Sequence, residues 1–266
     1  MIIRLLAGVF AAAGACFAVD LSPETIAAFD RYVAAAEAKM EPRFRGERFL
    51  GEGDSAAWRQ QLRNSPAIAT PAAGNGVISV KNGLVQDWTG AIFVPGATLR
   101  HAMSVAQDYE RHKEYYKPEI ADAKVRSHTG DRYEVFLRIV KSKLWISGVF
   151  NSEHEIQFTN VDSRRTYSRS YSRRIAEVAD AGKKSEHELK PGHDRGFFWR
   201  LYSYWFFEES DGGVYVSCRG ITLTRDLPFA LDRLMSPILK ELPGESLRNS
   251  LEQTKKAILG IALLKP

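Results

Sequence analysis

The residue types best suited to acid–base or metal chemistry near neutral pH, histidine and cysteine, are few in this 266-residue chain, and its histidines are scattered. There are six histidines. His187 and His193 flank a polar loop that also carries Glu186, Glu188 and Asp194. That donor set suits a divalent metal, but its spacing matches no zinc pattern, and it reads as a solvated loop. His154 stands between Glu153 and Glu155. On a strand, alternation sends the imidazole to one face and both carboxylates to the other. An acid–base partner for His154 therefore has to come from a neighbouring strand. Cys218, in the strand-like run VYVSCRGITLT, reads as a packed core thiol and not a nucleophile. The sequence has no glycine-rich phosphate loop, no His-Glu-x-x-His and no Gly-x-Ser-x-Gly. It implies no catalytic residue, no metal ligand and no cofactor.

Two strand-like runs suit binding better than catalysis. From Arg165 to Arg173, one face carries Tyr167, Arg169, Tyr171 and Arg173, and the other Thr166, Ser168, Ser170 and Ser172. The Tyr/Arg face is either an outward ladder paired with Glu153 and Glu155 or a cavity wall whose guanidinium groups hold an anionic head group. In the first case the Ser/Thr face borders the cavity or packs beneath the helix. In FFWRLYSYWFFEE, Phe198, Tyr202, Tyr204 and Phe206 share a face with Arg200, while Trp199, Leu201, Trp205 and Phe207 share the other. Both faces are apolar, so both should be covered: one by a cavity, the other by the N-terminal region. An apolar-ligand site is lined by such groups with few polar atoms among them. The candidate ligand contacts are Trp88, Tyr133, His154, Arg169, Tyr171, Tyr202 and Tyr204. The interleaved Tyr/Arg strand imitates a nucleic-acid surface, but the export signal described next argues against that partner.

The elements that position these residues follow from the pattern along the chain. Arg4 precedes an apolar run from Leu5 to Ala15, with small-residue cut sites at Ala13-Gly14-Ala15 and Cys16-Phe17-Ala18. The run is too short to span a bilayer and predicts a cleaved export signal over residues 1–18, hence a periplasmic or secreted protein. Ala13-Gly14-Ala15-Cys16 also resembles a lipoprotein cleavage box, with lipidation at Cys16 as the minority reading. Only Cys16 and Cys218 are present, which rules out a disulfide framework in the mature chain. Residues 19–76 form a helical extension. Ser22-Pro23 starts a helix that buries Ile26, Phe29, Tyr32 and Val33 and runs to about Met40, a short helix covers Ala56 to Arg63, and Ser65 to Gly76 is loop. The main domain spans residues 77–266. Its Leu84–Pro118 run predicts a strand, a Pro95-Gly96 break, and one amphipathic helix with Leu99, Met103, Ala106 and Tyr109 on a face. Successive strands with short connections then predict an antiparallel sheet. Pro228 to Leu242 is helical with a kink at Pro237, Pro243-Gly244 interrupts it, and a last helix presents Leu247, Leu251, Ile258 and Ile261. Such a helix can bury its apolar face only against the sheet, an α+β arrangement.

This order resembles the START-like (SRPBCC, polyketide cyclase/lipid-transfer) superfamily with its helix-grip fold. DWTGAIFVPGA…DYERHKEYYKPEI is similar to the opening strand and short helices of that fold, and DGGVYVSCRGITLTRDLP to its final hairpin leading into the terminal helix. The resemblance covers about residues 77–262. It implies a curved antiparallel sheet wrapped on the C-terminal helix, and a cavity for a hydrophobic small molecule or lipid. Cyclase- or dehydratase-type chemistry on groups such as His154 or Tyr204 is the alternative, and an interaction protein with a filled cavity a third reading. The composition, 44% hydrophobic and 26% charged, is that of a soluble domain, and the net charge of +5 permits contact with an anionic membrane surface.

Overall fold

The computed structural model describes residues 21–51, 53–143, 146–190, 193–195, 197–225 and 229–263, and their side chains except at 143, 146 and 229–241. The export signal at residues 1–18, with Arg4 and Cys16, lies outside the described residues, as do Trp145, Pro228 and the side chains of Leu231, Leu234, Met235, Pro237, Ile238 and Leu239.

Helices α1 (Pro23–Phe44) and α2 (Ala56–Asn64) lead into strands β1 (Ile68–Pro71), β2 (Val77–Val80) and β3 (Gly83–Pro95). Then come α3 (Leu99–Ala106), a 3-10 turn (Tyr109–Arg111) and α4 (His112–Tyr115). Strands β4 (Ile120–Thr129), β5 (Arg132–Lys143), β6 (Ile146–Asn160), β7 (Arg165–Ala179), β8 (His187–Glu188), β9 (Arg200–Ser210) and β10 (Gly213–Arg225) follow, and α5 (Phe229–Leu263) closes the chain. The strands form one curved antiparallel sheet in the order β1-β3-β10-β9-β7-β6-β5-β4, with β2 beside β3 and β8 beside β7. The first long strand therefore pairs with the last. The sheet wraps α5 in the helix-grip architecture.

Local chemistry sets these elements. Ser22 caps α1 by accepting from the Thr25 amide at 3.1 Å, and Pro23 sits in the first turn, where its missing N–H costs nothing. Thr25 Oγ1 donates to the Lys81 carbonyl at 2.8 Å, pinning α1 to the β2–β3 turn. At the β9–β10 hairpin, Asp211 (φ 54°) and Gly212 (φ 75°) supply the two left-handed residues of a tight primed turn.

The sheet has a core on each face. On the outer face, Phe29, Val33, Ala36 and Met40 of α1 pack against Val85, Tyr204, Phe206, Tyr215 and Leu223. On the inner face, Leu251 and Ile258 of α5 and Ala102 and Val105 of α3 pack against Ile92, Val94, Phe207, Val216 and Cys218. The same strands serve both cores, which is why the β9 sequence is apolar at consecutive positions. Among the described residues, no helix is long and apolar enough to cross a membrane.

Several expectations are corrected. The segment expected as loop at 65–76 contains β1, which pairs with β3 from Ile68↔Ala91 to Pro71↔Trp88. The helix after Gly96 ends at Ala106 instead of running to Pro118, because Asp108 (φ −86°, ψ 63°) leaves helical geometry. Helix α5 continues through Pro243-Gly244. The glycine there is a packing device: a Cβ on Gly244 would stand 2.4 Å from Trp88 Cζ3, so only glycine lets the helix approach β3 this closely. The alternation expected from Phe197 starts only at Arg200, so Phe198 faces inward and Trp199 joins the outer core, the reverse of the expected faces. A bulge pairs Glu153 with Arg174 and His154 with Ser172, which leaves Arg173 and Arg174 both exposed.

Candidate ligand cavity

The inner face encloses a cavity of about 360 Å³ between the sheet and α5. Its floor can be read from the register. Ile156, Ser170, Ser203, Gly220 and Trp88 are successive cross-strand partners on β6, β7, β9, β10 and β3. The three central members of this row are small, and all five line the cavity. The next row to one side, Phe158, Ser168, Trp205 and Cys218, is bulkier. On the other side lie Leu201, Thr222 and Gln86. Rows two residues apart stand roughly 7 Å apart. The void is thus a trough across the strands, deep where Ser170, Ser203 and Gly220 leave space. A Cβ added to Gly220 would meet nothing within 4 Å. Leu242, Pro243, Leu247, Ser250 and Thr254 of α5 form the roof, and Phe150, Phe197, Phe198, Leu137 and Ile139 complete the mainly apolar wall.

Polar groups gather at two places on this wall. Lys141 Nζ donates to Glu119 Oε2 at 2.6 Å and to Ser246 Oγ at 2.5 Å, and Ser246 donates to the same carboxylate oxygen at 2.7 Å. This cluster joins α5 to the β4–β5 edge. Elsewhere, Tyr116 Oη lies 3.0 Å from Thr254 Oγ1, and His112 Nε2 lies 3.2 Å from the Val105 carbonyl. Burial pushes the Tyr116 phenol up to about 12 and the His112 imidazole down to about 4. It also raises the Cys218 thiol well above its ordinary range, so this cavity-facing sulfur stays protonated and unreactive.

The candidate contacts separate by face. Trp88 lines the cavity. Tyr133 packs 5.3 Å from Tyr109 and 5.8 Å from Phe158, two wall residues, and lies behind them. His154 is on the inner side, buried beside the floor, 3.0 Å from Ser152 Oγ and 3.5 Å from Ser170 Oγ, and does not line the cavity. Arg169, Tyr171, Tyr202 and Tyr204 lie on the outer face under α1. The Arg169 guanidinium covers the Phe44 ring at 3.9 Å. Tyr171 and Tyr204 both donate to Glu37, and Tyr202 meets Phe29 edge-on at 5.1 Å. The Tyr/Arg strand turns its Tyr/Arg face outward, but as a surface packed under α1 and not as the expected ladder: Arg173 pairs with Glu155, while Arg169 lies on Phe44. On the other face Ser168 and Ser170 line the cavity.

The sequence reading offered the faces of Ser170 and of Leu201 and Trp205 only as alternatives, and it missed Ser203, Gly220, Tyr116 and Lys141 as cavity residues. Gly220 within a strand carried a signal, since an interior glycine marks close approach or open space. In the polar loop, Glu186 is bound by Arg138, Glu188 by Arg174 and Asn151, and Asp194 by Trp199. Among the described residues, no three His, Cys, Asp or Glu side chains converge as metal ligands. A more open depression of about 540 Å³ lies over Gly46, Arg59 and Arg165, and both arginines are already paired, with Asp54, Glu208 and Asp162.

The buried histidines make stability depend on pH. Burial holds His154, like His112, at about 4, against 6.5 for a free ring. The neutral ring is the native form, so its contribution is whole above pH 6.5 and is lost as pH falls from 6.5 toward 4. From pH 7 to pH 5 each ring should cost about 2 kcal/mol of unfolding free energy. Urea titrations at the two pH values check this, and His154→Gln should remove that ring's share. A pH-independent stability over this range contradicts the assignment.

No protein-family model and no curated protein matches the chain. Solved structures similar to it include a STAR-related lipid transfer protein from Xanthomonas axonopodis, at 15% identity over 66% of this chain and 98% of that one, TM-score 0.42. The Zhui aromatase/cyclase from Streptomyces sp. R1128 matches at 12% identity over 67% and 94%, TM-score 0.42. Human STARD10 matches at 9% over 81% and 86%, TM-score 0.41. At this distance neither ligand nor reaction transfers to the present chain.

Proposed function

We propose that this chain is an exported binding protein that holds an apolar or amphipathic small molecule between sheet and α5 without transforming it. The observation that carries the reading is the cavity itself: about 360 Å³ of void with a mainly apolar wall. That volume lies in the range of ligand sites, roughly 300–1,000 Å³. At ~30 Å³ per water-sized group it takes on the order of a dozen such groups. A void of this size speaks against an interior filled by the protein's own side chains. Binding works by desolvation, at roughly 0.8 kcal/mol per buried methylene. The Lys141–Glu119–Ser246 cluster offers a polar station for one end of an amphipathic molecule. Of the groups that an enzyme reading would use, Tyr204 lies on the opposite face, and His154 meets the cavity only through Ser170.

Native mass spectrometry of the mature protein, purified without detergent, should show an adduct of small-molecule mass that organic extraction removes. A bare protein mass from the native host, together with unchanged tryptophan fluorescence on adding apolar probes, contradicts the reading. Fractionation of the host should find the protein outside the cytoplasm.

A further inference from the structure

With Ser152 donating to the Leu137 carbonyl, the hydrogen bonds beside the cavity floor take one direction. Ser152 Oγ lies 3.0 Å from the Leu137 carbonyl, which can only accept, so the single Ser152 proton is committed there. Ser152 Oγ also lies 3.0 Å from His154 Nε2, and with its proton spent it must accept from Nε2–H. A neutral imidazole protonated at Nε2 carries a lone pair at Nδ1. The ring is 3% exposed, and burial favours its neutral form. Ser170 Oγ lies 3.5 Å from Nδ1. Ser170 then donates to His154 through a long hydrogen bond. Its oxygen keeps lone pairs and has no proton left to offer.

Ser170 lines the cavity in the middle of the trough, directly opposite Ser203. We propose that the floor presents a hydrogen-bond acceptor and no donor at Ser170, so that the ligand group seated on Ser170 is an O–H or N–H donor, as in an alcohol or phenol and not its ether. A ligand oxygen without a proton would face lone pair against lone pair. A hydroxyl there completes a relay of four oriented hydrogen bonds, from ligand to Ser170, His154, Ser152 and the Leu137 carbonyl. His154 thus acts as a positioning residue that sets the polarity of a wall group it lies behind. This inference rests on the cavity being a ligand site.

The test compares 2-naphthol with 2-methoxynaphthalene, probes of nearly equal size, on the full mature chain after organic extraction and refolding to its original circular dichroism. Tryptophan quenching should show 2-naphthol binding about five- to tenfold tighter, the value of one net hydrogen bond. Ser170→Thr, which keeps the hydroxyl, should retain that preference. Ser170→Val should bring the two probes within twofold of each other while both still bind. Equal affinity in the unaltered protein, or a preference for the ether, overturns the polarity assignment and leaves the cavity reading standing. Failure of both probes to bind overturns the cavity reading and this inference with it. Nitrogen NMR gives a check that needs no variant: His154 should be the Nε2–H tautomer, and an Nδ1–H ring overturns the proposal.

Discussion

Gly220→Leu should abolish ligand capture while the protein stays folded. Gly220 sits on β10 between Ser203 and Trp88 in the floor row, and its added Cβ would enter open space. Its backbone is ordinary extended strand, so a leucine is accepted without strain, and β-structure loses a glycine that weakens it. The isobutyl group then occupies the deepest part of a void that takes only about a dozen water-sized groups. A ligand must lose several buried methylenes at roughly 0.8 kcal/mol each, which corresponds to a drop in affinity of a hundredfold or more. The expected results are loss of the adduct in native mass spectrometry and a thermal midpoint equal to or above that of the unaltered protein. Ser203→Leu, in the same row, should act alike. A variant that keeps its ligand at full occupancy would show that the bound molecule lies elsewhere.

The legibility of this molecule divides along the same face boundary. Alternation in TYSRSYSR and RLYSYWFF fixes which residues share a side, and in β9 from Arg200 onward those groupings hold. Alternation does not tell which side is inside when both are covered. In β9 the outer face under α1 carries Tyr202, Tyr204 and Phe206, and the inner face Leu201, Trp205 and Phe207, so neither composition marks the cavity. The floor is defined by what is missing. Ser170, Ser203 and Gly220 come from three strands, and only the pairing register sets them side by side. Long-range register is invisible in local sequence, so aromatic residues drew the attention that small ones warranted. The cap at Ser22 and the turn at Asp211-Gly212, which opens the DGGVYVSC run, were readable because each is decided within four residues. The continuity of α5 was not, since Pro243-Gly244 is a breaker in isolation and becomes a close-packing seam only once Trp88 is placed beside it.

Asp87→Ala should be the most damaging substitution on the outer face, at about 3–5 kcal/mol. The Asp87 side chain on β3 is fully buried, and the Arg219 side chain on β10 is 13% exposed. Arg219 Nε donates to Asp87 Oδ1 at 2.9 Å and a terminal nitrogen to Oδ2 at 2.5 Å, a bidentate charge-assisted pair. Tyr32 of α1 donates to Oδ2 at 2.7 Å. One carboxylate thus ties α1 to the two strands that bring the first and last long strands of the sheet together. Removing it leaves a guanidinium in a nearly dry site and an orphaned phenol, and the burial that was tolerable for a pair is costly for one charge. The pair as a whole need not contribute much. Asp87→Ala combined with Arg219→Met should recover a large part of the loss, giving a non-additive cycle. Tyr32→Phe, which removes a single hydrogen bond, should cost only about 1 kcal/mol. Urea unfolding of the four proteins tests this. Strict additivity, or a single-variant cost below that of Tyr32→Phe, would show that solvent reaches Arg219 and that α1 is held on the sheet by its apolar stripe alone. The expected outcome instead makes Asp87 the condition for α1 docking, and with it for the rigid outer face behind the cavity floor.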